Sequence, residues 1–175
     1  MTTGQIAWAV KHGFAEVPLD VNMLASSKTC AAEIQAATTR AVKLLNRRCS
    51  VIVHTTKTGP DRRATAKLKD RTAKILGAAL GEILRQALAQ SSLRRVCIAG
   101  GDTSSFAART LGIEALEMIA PLTPGAPLCR AHAPGSPVDG REIVFKGGQV
   151  GAENYFEIVQ RGKIRTGANS EDGVE

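Results

Sequence analysis

Large rings are scarce in this chain. Four Phe, one Trp and one Tyr amount to 3% of 175 residues, so the core cannot be built on stacked aromatics. No ring is interleaved among basic residues to stack on nucleic-acid bases, and no nucleic-acid module motif appears. Long apolar runs are missing as well; none approaches the ~18 residues of a membrane span. The opening MTTGQIAWAVKHG has no basic stretch leading into an apolar one, so no export signal is read and a cytoplasmic location is expected. Cysteine is sparse and scattered. Cys30, Cys49, Cys97 and Cys129 form no C-x-x-C pair and have no histidine cluster nearby. That spacing argues against zinc and against a disulfide framework, and buried reduced thiols are expected. Two common nucleotide signatures, G-x-x-x-x-G-K-[ST] and G-x-G-x-x-G, are absent. No Ser/His/Asp set can be assembled either, and no catalytic residue is assigned.

What is present fits a single domain of ordinary size with a real core. Hydrophobic residues make up 43% and charged residues 22% of the chain, near globular norms. The net charge is +7. Much of the excess lies in KTGPDRRATAKLKDRTAK, residues 57–74, with seven basic and two acidic residues. Such a stretch suits nucleic acid, nucleotide phosphates, an acidic substrate, or simply a solvated helix face.

Periodicity predicts alternating helices and strands. Residues 2–12 read as a helix ended by Gly13, and FAEVPLDV as a short extended segment interrupted by Pro18. Residues 29–48 have helical spacing, and SVIVHT (50–55) is a β-branched run suited to a strand covered on both faces. The longest apolar stripe runs over 63–90, with Gly77 and Gly81 one turn apart where another element would pack close to the backbone. Strands are expected over 94–99, 115–120 and 142–145, and helices over 105–112 and 150–162. The Pro/Gly-rich stretch 121–140 is expected to hold at most one short strand. This order predicts an α/β fold, layered helices around a largely parallel or mixed sheet.

In such sheets ligands sit beyond the carboxyl ends of the strands. Two glycine-rich loops are expected there, GGDTSS after 94–99 and KGGQVG after 142–145. In the first, Gly100 and Gly101 let the backbone approach a ligand, and Thr103 or Ser104 could cap the following helix. Free N–H groups at a helix start attract phosphate. Asp102 would repel it unless a cation lies between, and Mg2+ is held in just this way, by a carboxylate and substrate phosphates. A plain strand-to-helix turn capped by Asp102 or Thr103 explains the same residues. In the second loop, Lys146 is a point charge suited to phosphate, and Gly147 and Gly148 open the backbone. A turn with a solvated lysine is the alternative. His54, at the end of SVIVHT, could line the same crevice or be a satisfied strand-end histidine. Thr55, Thr56 and Thr58 near Gly59 are candidates for a third loop at that edge.

The order GFAEVPLDV, SVIVHT, GGDTS with a helix ending in LGI, TPGAPLCRA, KGGQVG and ENYFEIV resembles one family. It is similar to the C-terminal nucleotide-binding domain of the four-carbon acid sugar kinases, the DUF1537 family, over about residues 5–161. The resemblance implies a nucleotide-binding domain over 1–162; the small, polar composition of 163–175 reads as a flexible tail. It implies ATP and Mg2+ as cofactors, and contacts from Gly100, Gly101, Asp102 and Thr103 and from Lys146 and Gly148. The implied reaction is phosphorylation of a sugar acid of the threonate or erythronate type, with an N-terminal sugar-acid domain supplying the acceptor site. This sequence departs from the family at Ser105, where the loop usually reads GGDTSG, and at KGGQVG, where K-S-G-N-F-G is usual. Relatives also carry a strand and a G-S-C-S-type loop before the segment that begins here at TTGQIAWAV. The resemblance therefore implies an open sheet edge, inactivity without the N-terminal domain or subunit, and pairing of copies through that edge. A non-catalytic interaction module of the type III effector kind, or a basic nucleic-acid binder, are the alternatives.

Overall fold

A computed structural model describes residues 1–55 and 66–162. The elements in order are α1 (Thr2–Lys11), β1 (Ala15–Pro18), α2 (Val21–Ala25), α3 (Cys30–Leu45), β2 (Val51–His54) and α4 (Ala66–Ala89). They continue with β3 (Arg95–Ala99), α5 (Asp102–Thr110), β4 (Ala115–Thr123), β5 (Ala126–His132), β6 (Glu142–Lys146) and α6 (Tyr155–Arg161). Part of the basic stretch, residues 57–65, lies outside the described residues, as do Thr56, Thr58 and Gly59 and the 163–175 tail.

The strands form two sheets. β1 and β2 pair in parallel. The second sheet has the order β3-β6-β5-β4, with β3 and β6 parallel and the other two pairings antiparallel. The fold is therefore α/β with one parallel and one mixed sheet. Alternation along β3 decides its two faces. Val96 and Ile98 point into a core with Ala107 and Leu111 at α5 and Leu88 of α4. Cys97 and Ala99 point the other way, towards Ile6 of α1 and Phe156 and Val159 of α6. This is the period-two signature of a strand buried between helix layers. A third core joins Val17, Leu24, Ala37, Ala79 and Ile83 around the smaller sheet.

Two elements differ from the sequence expectation. The extended segment stops at Pro18, because Asp20 caps a short helix: its Oδ1 accepts from the amides of Asn22 (2.8 Å) and Met23 (3.3 Å). The Pro/Gly-rich region holds the end of a nine-residue β4 and a seven-residue β5. Pro124 and Gly125 mark only the hairpin turn, and cross-strand pairing on both sides of β5 overrides the local turn signals.

The expected close approach at Gly77 and Gly81 is present. A Cβ on Gly77 would lie 2.6 Å from both Cβ of Phe106 and the carbonyl oxygen of Thr103. One on Gly81 would lie 2.8 Å from Cβ of Thr110. These two glycines let α5 seat directly on α4, which sets where the α5 start stands.

Candidate functional site at the carboxyl ends of β3 and β6

The register of the parallel pair brings the two glycine loops together. Ala99 pairs with Lys146, so Gly100 and Gly147 leave neighbouring strands at the same end. The Gly100 amide donates to the Lys146 carbonyl at 3.0 Å, which extends the ladder into the loops. Gly100 has φ +141°, a conformation that L side chains rarely adopt.

The helix α5 begins directly behind this turn. Gly101 is its N-cap, and no side chain caps the helix. The expected capping role of Asp102 or Thr103 is therefore not the arrangement found. Asp102 is the first helical residue and is exposed. The start of α5 thus presents amides without a side-chain partner, a partial positive charge and one open carboxylate. Ser104 is committed elsewhere: it is buried, and its hydroxyl donates to the Gly100 carbonyl. It braces the turn, and its amide donates to the Gly101 carbonyl at 3.2 Å.

The second loop is built differently. Lys146 is 1% exposed, and its ammonium donates to the Gly147 carbonyl at 2.8 Å and to Thr2 Oγ1 at 3.3 Å. It also lies 5.5 Å from the centre of the Tyr155 ring. The side chain expected to reach phosphate is turned inward, because the loop carbonyl and the first turn of α1 satisfy its donors. Burial lowers its pKa, and the neighbouring Cys97 partly opposes that shift. Burial likewise pushes the Cys97 thiol up to about 12 despite the lysine beside it, so this cysteine stays a neutral thiol. Gly147 and Gly148 are half-exposed, and a Cβ on Gly148 would meet nothing within 4 Å.

Two residues of α1 that the sequence did not single out hold this loop. Thr2 Oγ1 donates to the Gly148 carbonyl at 2.9 Å. The Gln5 amide donates to the carbonyls of Val150, Gly151 and Ala152 at 3.1, 3.0 and 2.8 Å. Gln5 is 1% exposed. Its signal was a polar residue one turn from Ala9, on the apolar stripe of α1. At the opposite end of the sheet, Arg95 bonds Glu142 (2.6 Å) and the Val159 carbonyl (2.8 Å), tying α6 down.

His54 is 6% exposed and pairs with Glu16 at 3.1 Å, the satisfied strand-end arrangement. All four cysteines are free thiols, and no cluster of metal-ligating side chains occurs among the described residues. No described helix is long and apolar enough to cross a membrane.

Comparison with known proteins agrees with the geometry. The chain is 42% identical over 174 residues to 3-oxo-isoapionate kinase of Paraburkholderia graminis, which covers 94% of this chain and 37% of that protein. It is 30% identical over 109 residues to 3-oxo-tetronate kinase of Pseudomonas savastanoi pv. phaseolicola, covering 61% of this chain and 24% of that protein. The chain thus spans little more than a third of the first of these relatives and less of the second. Among solved structures, a Haemophilus influenzae protein of the DUF1537 family superposes with a TM-score of 0.68 at 20% identity, over 92% of this chain and 37% of that one. A Bordetella bronchiseptica DUF1537 protein, solved with citrate as a domain-swapped dimer, superposes with a TM-score of 0.62 at 19% identity, over 89% of this chain and 36% of that one. Residues 1–156 match the family described as the nucleotide-binding C-terminal domain, and the chain belongs to that domain family of the four-carbon acid sugar kinases.

Proposed function

We propose that this domain binds ATP with Mg2+ as the nucleotide half of a kinase whose acceptor is a sugar acid. The observation that carries the proposal is the Ala99–Lys146 register, which sets an uncapped helix start and an open glycine loop side by side. The amides of Gly101 and Thr103 hold phosphate oxygens on one side, on a turn shaped by Gly100 and Ser104, whose own amides donate within the protein. Gly147 and Gly148 close the other, their loop held in shape by Lys146. An exposed carboxylate at the positive end of a helix fits a cation better than a bare phosphate, so Asp102 is the residue that would hold Mg2+. The ion would there neutralise phosphate charge.

Phosphoryl transfer depends mostly on positioning and charge stabilisation. The γ-phosphoryl group moves in line from ATP to an acceptor hydroxyl, leaving ADP, while the hydroxyl proton goes to a base supplied by the N-terminal part of the kinase. Both named relatives act on 3-oxo acids, which supports an oxidised sugar acid of the threonate or erythronate class as acceptor. Residues 1–162 by themselves bind nucleotide without turning over, and act in the cytoplasm, where ATP is available.

Calorimetric titration with ATP and Mg2+ tests the proposal. Binding is expected, weakened about tenfold in Asp102→Ala, a loss near 1.4 kcal/mol. The penalty disappears when Mg2+ is removed. Neither heat nor a thermal shift at millimolar nucleotide would sink it.

A further inference from the structure

The stretch PLTPGAP, residues 121–127, belongs to neither glycine loop. Its prolines fall three residues apart, on a β4–β5 hairpin that turns at Pro124 and Gly125. Proline has no N–H, so sheets confine it to edges, strand ends and bulges. An edge and a bulge are both found here. β4 is the last strand of its sheet among the described residues, and its pairing with β5 shifts register between Met118 and Thr123. The hairpin holds a groove of about 350 Å3, lined by Met118, Pro121, Pro124 and Pro127. That size lies within the roughly 300–1,000 Å3 of small-molecule sites. Met118 is 61% exposed, and Pro121 is exposed beside it.

Strand direction places this groove at the end of the sheet that carries the glycine loops. β5 runs antiparallel to β6, and β4 antiparallel to β5. The hairpin turn therefore stands at the carboxyl end of β6, where Gly147 and Gly148 leave the sheet. Alternation places the groove on one face. Ala126 and Leu128 enter the core shared with α6, so Pro127 lies on the opposite face, the one that carries α5. Met118 pairs with Cys129, a member of the α5 core, and shares that face. Phe145 of β6 packs against the same core and is half-buried. On α5, Phe106 and Thr110 meet α4, while Ala107 and Leu111 join the core on the sheet. Helical spacing leaves the small Ser105 and Ala108 on the flank away from α4. An apolar strip thus runs along that flank from Phe145 to Pro127 and Met118.

We propose that this groove is the base subsite of the nucleotide. The purine ring lies against Pro127 and Met118, the ribose crosses Phe145, and the phosphates rest on the start of α5. The inference rests on the nucleotide reading above and adds what holds the base. Two strand spacings of about 4.8 Å separate β6 from β4, a span that ribose and α-phosphate bridge. The chemistry of the lining suits a flat ring. Proline rings offer flat apolar walls, and a methionine sulfur makes favourable contacts with aromatic rings. None of the chain's own aromatic rings is exposed, so proline and methionine supply the surface on which a base can lie. An exposed apolar groove beside a polar anchor is also the usual form of a small-ligand site.

The test is NMR of the full chain labelled at its methionine methyl groups, Met1, Met23 and Met118. Met118→Leu assigns the signal of interest. ATP with Mg2+ is expected to shift the Met118 methyl and to give a nuclear Overhauser effect between that methyl and the base protons. Inorganic tripolyphosphate with Mg2+, which carries the phosphates without the base, is expected to bind and leave the methyl unmoved. Calorimetry on the double variant Met118→Ser, Pro121→Ser gives a second reading, since both side chains are exposed and the fold does not depend on them. ATP affinity is expected to fall about tenfold, with tripolyphosphate affinity within about twofold. The subsite is overturned if ATP binds without touching Met118, or if the double variant weakens both ligands alike. It is overturned as well if ATP binds no tighter than tripolyphosphate, which keeps the phosphate site. A Met118 signal that moves with protein concentration alone also overturns it and places a second copy on the groove. Failure of both ligands to bind overturns the nucleotide reading and the subsite together.

Discussion

The two glycine loops leave adjacent strands at one end of the sheet, yet they are held by opposite means. GGDTSS is braced from within and from below. Gly100 takes a positive φ, the Ser104 hydroxyl returns to the Gly100 carbonyl, and α5 rests on the bare backbone of α4 at Gly77. KGGQVG is held from outside, by Thr2 and Gln5 of α1 and by its own buried lysine. The difference separates chemistry from support. The first loop leaves the amides of Gly101 and Thr103 and the Asp102 carboxylate open, while the second spends its one charged side chain on shape. A lysine at the end of a strand is therefore no guide to a phosphate contact until its other partners are known.

Three substitutions sharpen this contrast. The largest effect is expected from Gly77→Val. Its Cβ would meet backbone and Cβ atoms at 2.6 Å, neither of which is a flexible end, so α5 must shift. A loss of about 3 kcal/mol is expected. That corresponds to a fall in Tm of about 6–12 °C for a chain of this size. Nucleotide binding fails with it, since the first loop moves. Gln5→Leu comes next. It removes the shared donor of three carbonyls and costs about 1–3 kcal/mol. Hydrogen exchange should loosen residues 147–154 and leave 100–106 unaffected; equal loosening of both loops would erase the distinction.

The smallest effect is expected from Lys146→Met. The Gly147 carbonyl loses a donor, at about 1 kcal/mol, while ATP affinity stays within about threefold, under 0.7 kcal/mol. A loss near a hundredfold would show that the ammonium reaches phosphate after all. The pH dependence gives an independent check. Because burial lowers the pKa of Lys146, the folded state binds fewer protons than the unfolded state as pH approaches the ordinary lysine range. This group's contribution to stability therefore rises with pH through that window, and the Met variant lacks the rise. Denaturant midpoints at neutral and alkaline pH measure it.

Much of the fold was legible because the patterns involved are local. The short β-branched run SVIVHT and the apolar run at 94–99 placed β2 and β3, and two glycines one turn apart announced a close approach to α4. β5 was hidden because its pairing with β4 and β6 is non-local and its proline content mimics a loop. α2 was missed because Asp20 reads equally as a strand residue or a cap. Of the site, the glycines and Asp102 stood out by composition. Thr2 and Gln5 did not, because their partners are more than 140 residues away in the chain.

The residues themselves determined the α/β class, most of the order of the elements and the presence of two glycine loops at strand ends, because side-chain periodicity and turn chemistry act over a few residues. Only the tertiary structure decided that β3 and β6 are neighbours, which makes one site of two distant loops. It also decided that Lys146 turns inward, and that β2 and β3 belong to separate sheets. Strand order and the direction of a long side chain depend on packing between distant segments, and no local pattern encodes that.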